Sequence, residues 1–159
     1  MVIKKGLEGN TNKVLVGKRK GSHAAGLYSF PGGHLDFGET WEQAVLREKD
    51  EECGEQFKVE ILDFGQPVWS KPDDTFVLPF VRPELFITND IMPQYGKHYI
   101  TIYMVAEWVE GEPENMEPHK NEGWEWKTFD ELQILAENES TAEWIPINKI
   151  EQFRYTIGL

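Results

Sequence analysis

Gly33-His34-Leu35-Asp36-Phe37-Gly38-Glu39-Thr40-Trp41-Glu42-Gln43-Ala44-Val45-Leu46-Arg47-Glu48-Lys49-Asp50-Glu51-Glu52-Cys53-Gly54 is a glycine-rich turn running into a helix. Thr40 is a good N-cap, and Gln43 three residues later completes a capping box. Gly54 supplies a C-terminal stop, so the spacing predicts a helix over about Trp41 to Cys53. At about 100° per residue, Trp41, Ala44, Val45, Glu48 and Glu52 fall on one stripe. The first three suit a core. The last two are carboxylates one turn apart, which repel each other, and lone buried carboxylates protonate or destabilise the fold. A hard divalent cation removes that conflict, and oxygen ligands on one helix face suit Mg2+ or Mn2+. Most acidic runs on helices are solvated faces. Here the apolar stripe continues into the acids and a Gly-Gly turn precedes them, which favours a metal site for phosphate chemistry.

These residues resemble the signature of the Nudix hydrolase family. That signature is Gly, five residues, Glu, seven residues, Arg-Glu, an aliphatic residue, any residue, Glu-Glu, any residue, Gly and an aliphatic residue. Gly33, Glu39, Arg47, Glu48, Glu51, Glu52 and Gly54 fall in place. Lys49 and Glu55 stand where the family has aliphatic residues, a departure that touches helix packing more than metal ligation. Lys49 is expected at the flank of the stripe with its stem along the surface. Within the family, Gly17-Lys18-Arg19-Lys20-Gly21-Ser22, Pro31-Gly32-Gly33-His34-Leu35, Phe37 to Glu42, His98 to Ile102 and Trp124-Glu125-Trp126 are similar to the thiopurine nucleoside triphosphate diphosphatase type.

The resemblance implies an α/β chain with the Nudix fold, an α/β/α sandwich with a mixed β-sheet. It implies a MutT-like, Mg2+-dependent pyrophosphohydrolase with Mn2+ as a possible substitute, cleaving dGTP-like or modified purine nucleoside triphosphates to monophosphate and pyrophosphate. Glu48 and Glu52 are then direct metal ligands, Glu51 shares a second ion, and the backbone carbonyl of Gly32 joins them. Glu51 and Glu122 are both candidates for the general base, with Glu52 beside them in the catalytic set. Glu122 reads equally as a solvated loop acid. Glu39 and Arg47 orient the helix and loop as outer support. Gly33, His34 and Arg19 are expected at the phosphates, since a guanidinium matches phosphate geometry. Arg19 is otherwise an exposed loop cation, and His34 a loop cap. Thr101 occupies a base-pocket position, and Phe30, Trp144 and Ile145 are further candidates that read equally as core. Ser29 stands where that type carries Gln.

The rest of the chain bounds this reading. A length of 159 residues fits one domain over 1–159. A net charge of −12 argues against general nucleic-acid binding, which needs a basic surface. It does not argue against a small polyphosphate held by metal ions. A single cysteine, Cys53, fits a reducing compartment. No apolar run reaches membrane-spanning length, and Met1 to Lys5 lacks the apolar region of a secretory signal. A cytoplasmic protein is expected, and the family suggests a homodimer.

Strands are expected at Val14–Val16, Phe57–Phe64 and Tyr99–Trp108, and another starts at Trp124. The first strand is confined to Met1–Lys5. A mobile loop is expected over 18–29 and an acidic loop over 111–123. An irregular insertion covers 66–84, with a short strand at Phe76–Leu78. A helix begins near Phe129 behind Thr128 or Asp130, and another lies in the tail at Ile150–Tyr155. Two other readings compete. One is hydrolysis of another nucleoside diphosphate derivative, such as a nucleotide sugar, ADP-ribose or an RNA cap. The other is a catalytically silent binding domain, which the intact glutamates oppose.

Overall fold

Three short apolar runs alternate between two cores, and this alternation builds the molecule. Val2, Val14, Val16 and Val105 are buried on one face with Phe30, Tyr103, Phe129 and Leu132. Their neighbours Ile3, Leu15 and Ala106 are buried on the other with Met1, Cys53 and Phe57. A strand covered on both faces reads as a continuous apolar run, which is why Val14-Leu15-Val16 is central.

The computed structural model describes residues 1–6, 13–21, 24–62 and 86–138. In chain order the elements are β1 (Val2–Lys5), β2 (Lys13–Arg19), β3 (Tyr28–Ser29), α1 (Trp41–Cys53), β4 (Lys58–Ile61), β5 (Phe86–Met92), a 3-10 turn (Pro93–Tyr95), β6 (Lys97–Tyr103), β7 (Val105–Glu110), β8 (Asn121–Thr128) and α2 (Phe129–Glu137). The main sheet runs β3-β2-β1-β7-β4, with β8 also paired to β2. Only β1 and β7 pair in parallel among the described strands; the other pairs are antiparallel. The sheet is therefore mixed. Strands β5 and β6 form a separate two-stranded sheet. The mixed sheet and the two α-helices among the described residues agree with the α/β architecture expected from the sequence.

Both helices start as the sequence dictates. The Thr40 hydroxyl accepts from the Gln43 amide and the Gln43 side chain accepts from the Thr40 amide. Thr128 and Glu131 repeat the device, so Thr128 rather than Asp130 is the cap of α2.

The structure departs from the sequence reading in four places. The loop expected over 18–29 is shorter: β2 runs on to Arg19, and the chain returns through Gly26 so that Tyr28–Ser29 pairs with it as β3. Tyr99 to Trp108 is not one strand but two, β6 and β7, which break at Met104 and enter different sheets. Continuous β-formers conceal such a change of sheet because each half keeps its own alternation. Strand β5 escaped notice. Lys49 is buried rather than laid along the surface; its ammonium pairs with Asp50 and reaches the Gly54 carbonyl. The core-facing line of α1 is accordingly Ala44, Lys49 and Cys53, while Trp41 stays substantially exposed. The 66–84 insertion with its Phe76–Leu78 strand, and the tail with Trp144, Ile145 and the expected helix, lie outside the described residues.

Replacing Thr40 by Ala removes one half of the capping box. The expected loss is about 1 kcal/mol, a fall of roughly 2–8 °C in the melting temperature. An unchanged melting temperature would show that the cap does not hold α1.

Candidate active site

The site begins where the Gly-Gly turn meets the last turns of α1. Gly33 lies so close to Glu48 that a Cβ there would overlap the carboxylate. The backbone N–H of Gly32, a residue with φ of 144°, donates to Glu52 Oε2 at 2.9 Å. Two glycines are thus required for two reasons: one leaves room for a carboxylate, and the other takes a conformation that side chains resist.

Glu52 is mostly buried. Burial is the main force raising its pKa, and the nearby Glu48 and Glu117 charges add to it, giving about 7 despite the Gly32 hydrogen bond. The Met1 amino group stands beside the same turn. It donates to the Pro31 carbonyl at 2.6 Å, and burial lowers its pKa to about 6 against the pull of Glu52 and Glu48.

Arg47 organises the outer side of α1. Its Nε and Nη2 hold both oxygens of Glu39 at 2.7 and 3.0 Å, a bidentate clamp. Nη2 also donates to the His34 carbonyl at 2.9 Å, and Nη1 reaches Glu48 at 2.9 Å and Glu51 at 3.4 Å. The clamp holds the Glu39 carboxyl below its ordinary pKa and raises that of Arg47 further. Glu39 also accepts from the Asp36 amide. Glu39 and Arg47 therefore fasten the loop to the helix.

A cavity of about 350 Å³ opens beside this turn. Arg19, Gly32, Gly33, His34 and Glu48 line it together with Phe30, Trp41, Tyr99, Thr101 and Tyr103. Arg19 comes from β2; burial lowers its pKa while the Glu52 charge opposes that shift. The His34 ring packs edge-on against Tyr99, centroids 5.7 Å apart, which ties the turn to β6.

The structure thus gathers Gly32, Gly33, His34, Arg19, Thr101 and Glu48 around one cavity, with Glu52 hydrogen-bonded to its rim. It does not bring Glu51 or Glu122 there. Glu51 is largely exposed beside Arg47, and Glu122 pairs with Lys18 at 3.4 Å. Ser29 is buried in β3 and does not line the cavity. Trp144 lies outside the described residues.

Glu117 is an acid that sequence reasoning missed. It comes near Glu52 because the loop before β8 caps the C-terminus of α1. The amides of Glu114 and Met116 donate to the Cys53 and Glu52 carbonyls at 3.0 and 3.2 Å. The Trp124 indole N–H also donates to the Glu52 carbonyl, at 3.1 Å. Helix-end carbonyls need such partners, but nothing in the local sequence says which loop supplies them.

The NUDIX domain family matches residues 7–149. The chain belongs to the Nudix family.

Over 62 residues it is 47% identical to an ADP-ribose pyrophosphatase of Methanocaldococcus jannaschii, covering 39% of this chain and 35% of that protein. Over 44 residues it is 50% identical to an 8-oxo-dGTP diphosphatase of Proteus vulgaris, covering 27% of this chain and 39% of that protein. The chain therefore matches well under half the length of these relatives. A MutT NUDIX hydrolase from Burkholderia pseudomallei superposes with a TM-score of 0.63 at 24% identity, covering 95% of both chains. A C. elegans Ap4A hydrolase superposes with a TM-score of 0.64 at 19% identity, covering 99% of this chain and 93% of that one. At these identities the superpositions speak to the fold alone. Among the described residues, no helix is long and apolar enough to cross a membrane.

The Glu52 pKa yields a stability prediction for the metal-free protein. Its folded pKa lies above its unfolded one, so folding favours the protonated form. Stability therefore falls as pH rises from 4.5 to about 7. In EDTA, the melting temperature of wild type minus that of Glu52→Gln should decline across this window and then level off. The Met1 amino group is coupled to the Glu52 charge, so its change between the two proteins is part of the same difference. A flat difference would refute the burial of an ionisable Glu52.

Proposed function

We propose that this protein is a Mg2+-dependent nucleoside triphosphate pyrophosphohydrolase, cleaving purine nucleoside triphosphates to the monophosphate and pyrophosphate. The observation that carries the reading is the pair Glu48 and Glu52, pressed against the Gly32–Gly33 turn at the rim of a cavity that also holds Arg19. Glu52 is buried beside the Glu48 charge, and both burial and that charge oppose its ionised form, a conflict that a cation relieves.

The donor set suits Mg2+. Among the described residues, no three His, Cys, Asp or Glu side chains are grouped to hold an ion. Mg2+ asks for less: one or two carboxylates, with waters and substrate phosphates completing its shell. Glu48, Glu52 and the Gly32 carbonyl are the groups that would hold it. When bound, the cation neutralises phosphate charge and acidifies the attacking water.

The chain's own residues do the rest. Arg19 offers a guanidinium to phosphate oxygens from β2. The Gly32–Gly33 backbone lets the polyphosphate approach without a side chain in the way. Arg47, held by Glu39, keeps Glu48 in place. Glu51, open to solvent on the same helix, and Glu122, on the loop side of β8, are the two candidates to take the proton from water, and both stand outside the cavity itself. Phosphoryl chemistry of this kind is mostly positioning and charge stabilisation.

A second reading has a specific observation behind it: the longer aligned relative is an ADP-ribose pyrophosphatase. Hydrolysis of another nucleoside diphosphate derivative uses the same residues and differs only at the nucleoside end. The thiopurine-type preference, the cytoplasmic location and the homodimer suggested by the sequence belong to the same proposal.

Release of monophosphate and pyrophosphate should be measured for canonical and oxidised purine triphosphates, nucleotide sugars, ADP-ribose and capped RNA. Ranking by kcat/KM should place a purine triphosphate first; a higher rank for ADP-ribose selects the second reading. Glu52→Gln should lower kcat by about 10³-fold, roughly 4 kcal/mol of barrier. Equal rates for variant and wild type would end the metal-hydrolase reading. Glu51→Gln should remove the acidic limb of the pH–rate profile, whereas loss of that limb in Glu122→Gln instead would transfer the role. Gly33→Ala, which displaces Glu48, should cost about 10²-fold in kcat/KM with normal far-ultraviolet circular dichroism.

A further inference from the structure

One face of the β5–β6 hairpin carries a chain of hydroxyls that ends on a carboxylate. The register pairs Thr88 with Thr101, Asp90 with Tyr99 and Phe86 with Tyr103. Side chains on a strand alternate, so Thr88, Asp90, Tyr99, Thr101 and Tyr103 share that face. The opposite face shows exposed Ile87, Ile91 and Ile100. Asp90 Oδ2 accepts from Thr88 Oγ1 at 2.7 Å and from Thr101 Oγ1 at 2.5 Å. Tyr103 is hydrogen-bonded to Thr88. Thr88 and Tyr103 are buried, while Tyr99, Thr101 and Tyr103 line the cavity.

The directions of these bonds follow from the chemistry of the acceptor. A carboxylate only accepts, and a hydroxyl has one proton to give. Thr88 and Thr101 both spend theirs on Asp90. Thr101 keeps an acceptor lone pair and nothing to donate.

We propose that Asp90 fixes the polarity of this wall, so that Thr101 acts toward the cavity purely as an acceptor and selects nucleobases that present an N–H group to it. The inference rests on reading the cavity as a nucleotide site and names what that site would prefer. Asp90 is a positioning residue, since it acts through Thr101. Guanine offers two such donors, the N1–H and the 2-amino group. A base whose facing atom is itself an acceptor meets lone pair against lone pair. In Asp90→Asn the amide can donate to Thr101, which frees the Thr101 proton and abolishes the one-way polarity without changing the shape of the wall.

Binding and turnover test this separately. Calorimetry measures Kd for dGMP, dIMP (no 2-amino group) and O6-methyl-dGMP (no N1–H). Steady-state assays with Mg2+ measure kcat and KM for the matching triphosphates. Wild type should bind at least one of the two analogues about 3–10-fold more weakly than dGMP, the worth of one hydrogen bond. That ratio should fall to about twofold or less in both Asp90→Asn and Thr101→Val and survive in Thr101→Ser, with the change carried by KM. A merely structural role for Asp90 would weaken all three ligands alike and leave the ratio intact. Equal binding of the three by wild type, no binding at all, or a ratio that survives both Asp90→Asn and Thr101→Val overturns the inference. Donor-dependent binding without turnover of any triphosphate would support it while refuting the pyrophosphohydrolase reading. Turnover without donor dependence would do the reverse.

Discussion

The apposition of the Gly32–Gly33 turn on the last turns of α1 is the constraint that the rest of the structure serves. It places three acids, Glu48, Glu51 and Glu52, near the C-terminus of a helix whose last turn carries no exposed cation. The helix dipole disfavours negative charge there, and like charges at this spacing repel. A sequence selected for helix stability alone would not carry this arrangement. Local rules are broken at sites where function demands it, with compensation elsewhere.

The compensation can be traced bond by bond. Arg47 offsets Glu39, Glu48 and Glu51 together from the outer side. Pairs with an exposed partner contribute little singly, but the bidentate hold on Glu39 also anchors the loop that carries the two glycines. From the inner side, the Gly32 N–H reaches the Glu52 carboxylate. The end of the helix is closed by amides of the loop before β8 and by the Trp124 indole. Those partners keep the Cys53 and Glu52 carbonyls from being left unsatisfied, a debt that buried backbone groups rarely carry. Buried Lys49 belongs to the same account. An aliphatic residue would fill its place without a charge, yet its ammonium satisfies both the Gly54 carbonyl and the Asp50 carboxylate.

Much of this was legible in the chain because it is local. The capping box, the stop at Gly54 and the phase that sets Glu48 and Glu52 together depend on residues within a few turns of one another. The family resemblance pairs Arg47 and Glu39 as loop-and-helix support, and both lie in the same segment. What sequence did not disclose is what arrives from elsewhere. Glu117 approaches Glu52 through a loop whose backbone amides, not its side chains, do the docking. The end of β6 at Met104 leaves no mark, since Tyr103 and Val105 are equally good strand formers and both are buried. Thr101 was singled out by resemblance, but its partner Asp90 sits on β5, a strand the sequence reading did not recognise.

This division between local and distant parts bears on how the fold can vary its substrates. Most groups suited to phosphate and cation come from one segment, the turn and α1, joined by Arg19 from β2 of the main sheet. The wall formed by Tyr99, Thr101 and Tyr103 belongs to the separate β5–β6 sheet, whose polar face is set by Thr88 and Asp90. The His34–Tyr99 ring contact is one junction between the two. Substitutions of Thr101 or Asp90 on the hairpin therefore alter the far wall of the cavity without removing the Arg47 and Gly32 contacts that hold Glu48 and Glu52. A change in the glycine turn has no such freedom: it moves Glu48, Glu52 and, through Arg47, the loop at once. High identity confined to the turn-and-helix segment is then the expected pattern among proteins that share phosphate chemistry and differ in the nucleoside they hold.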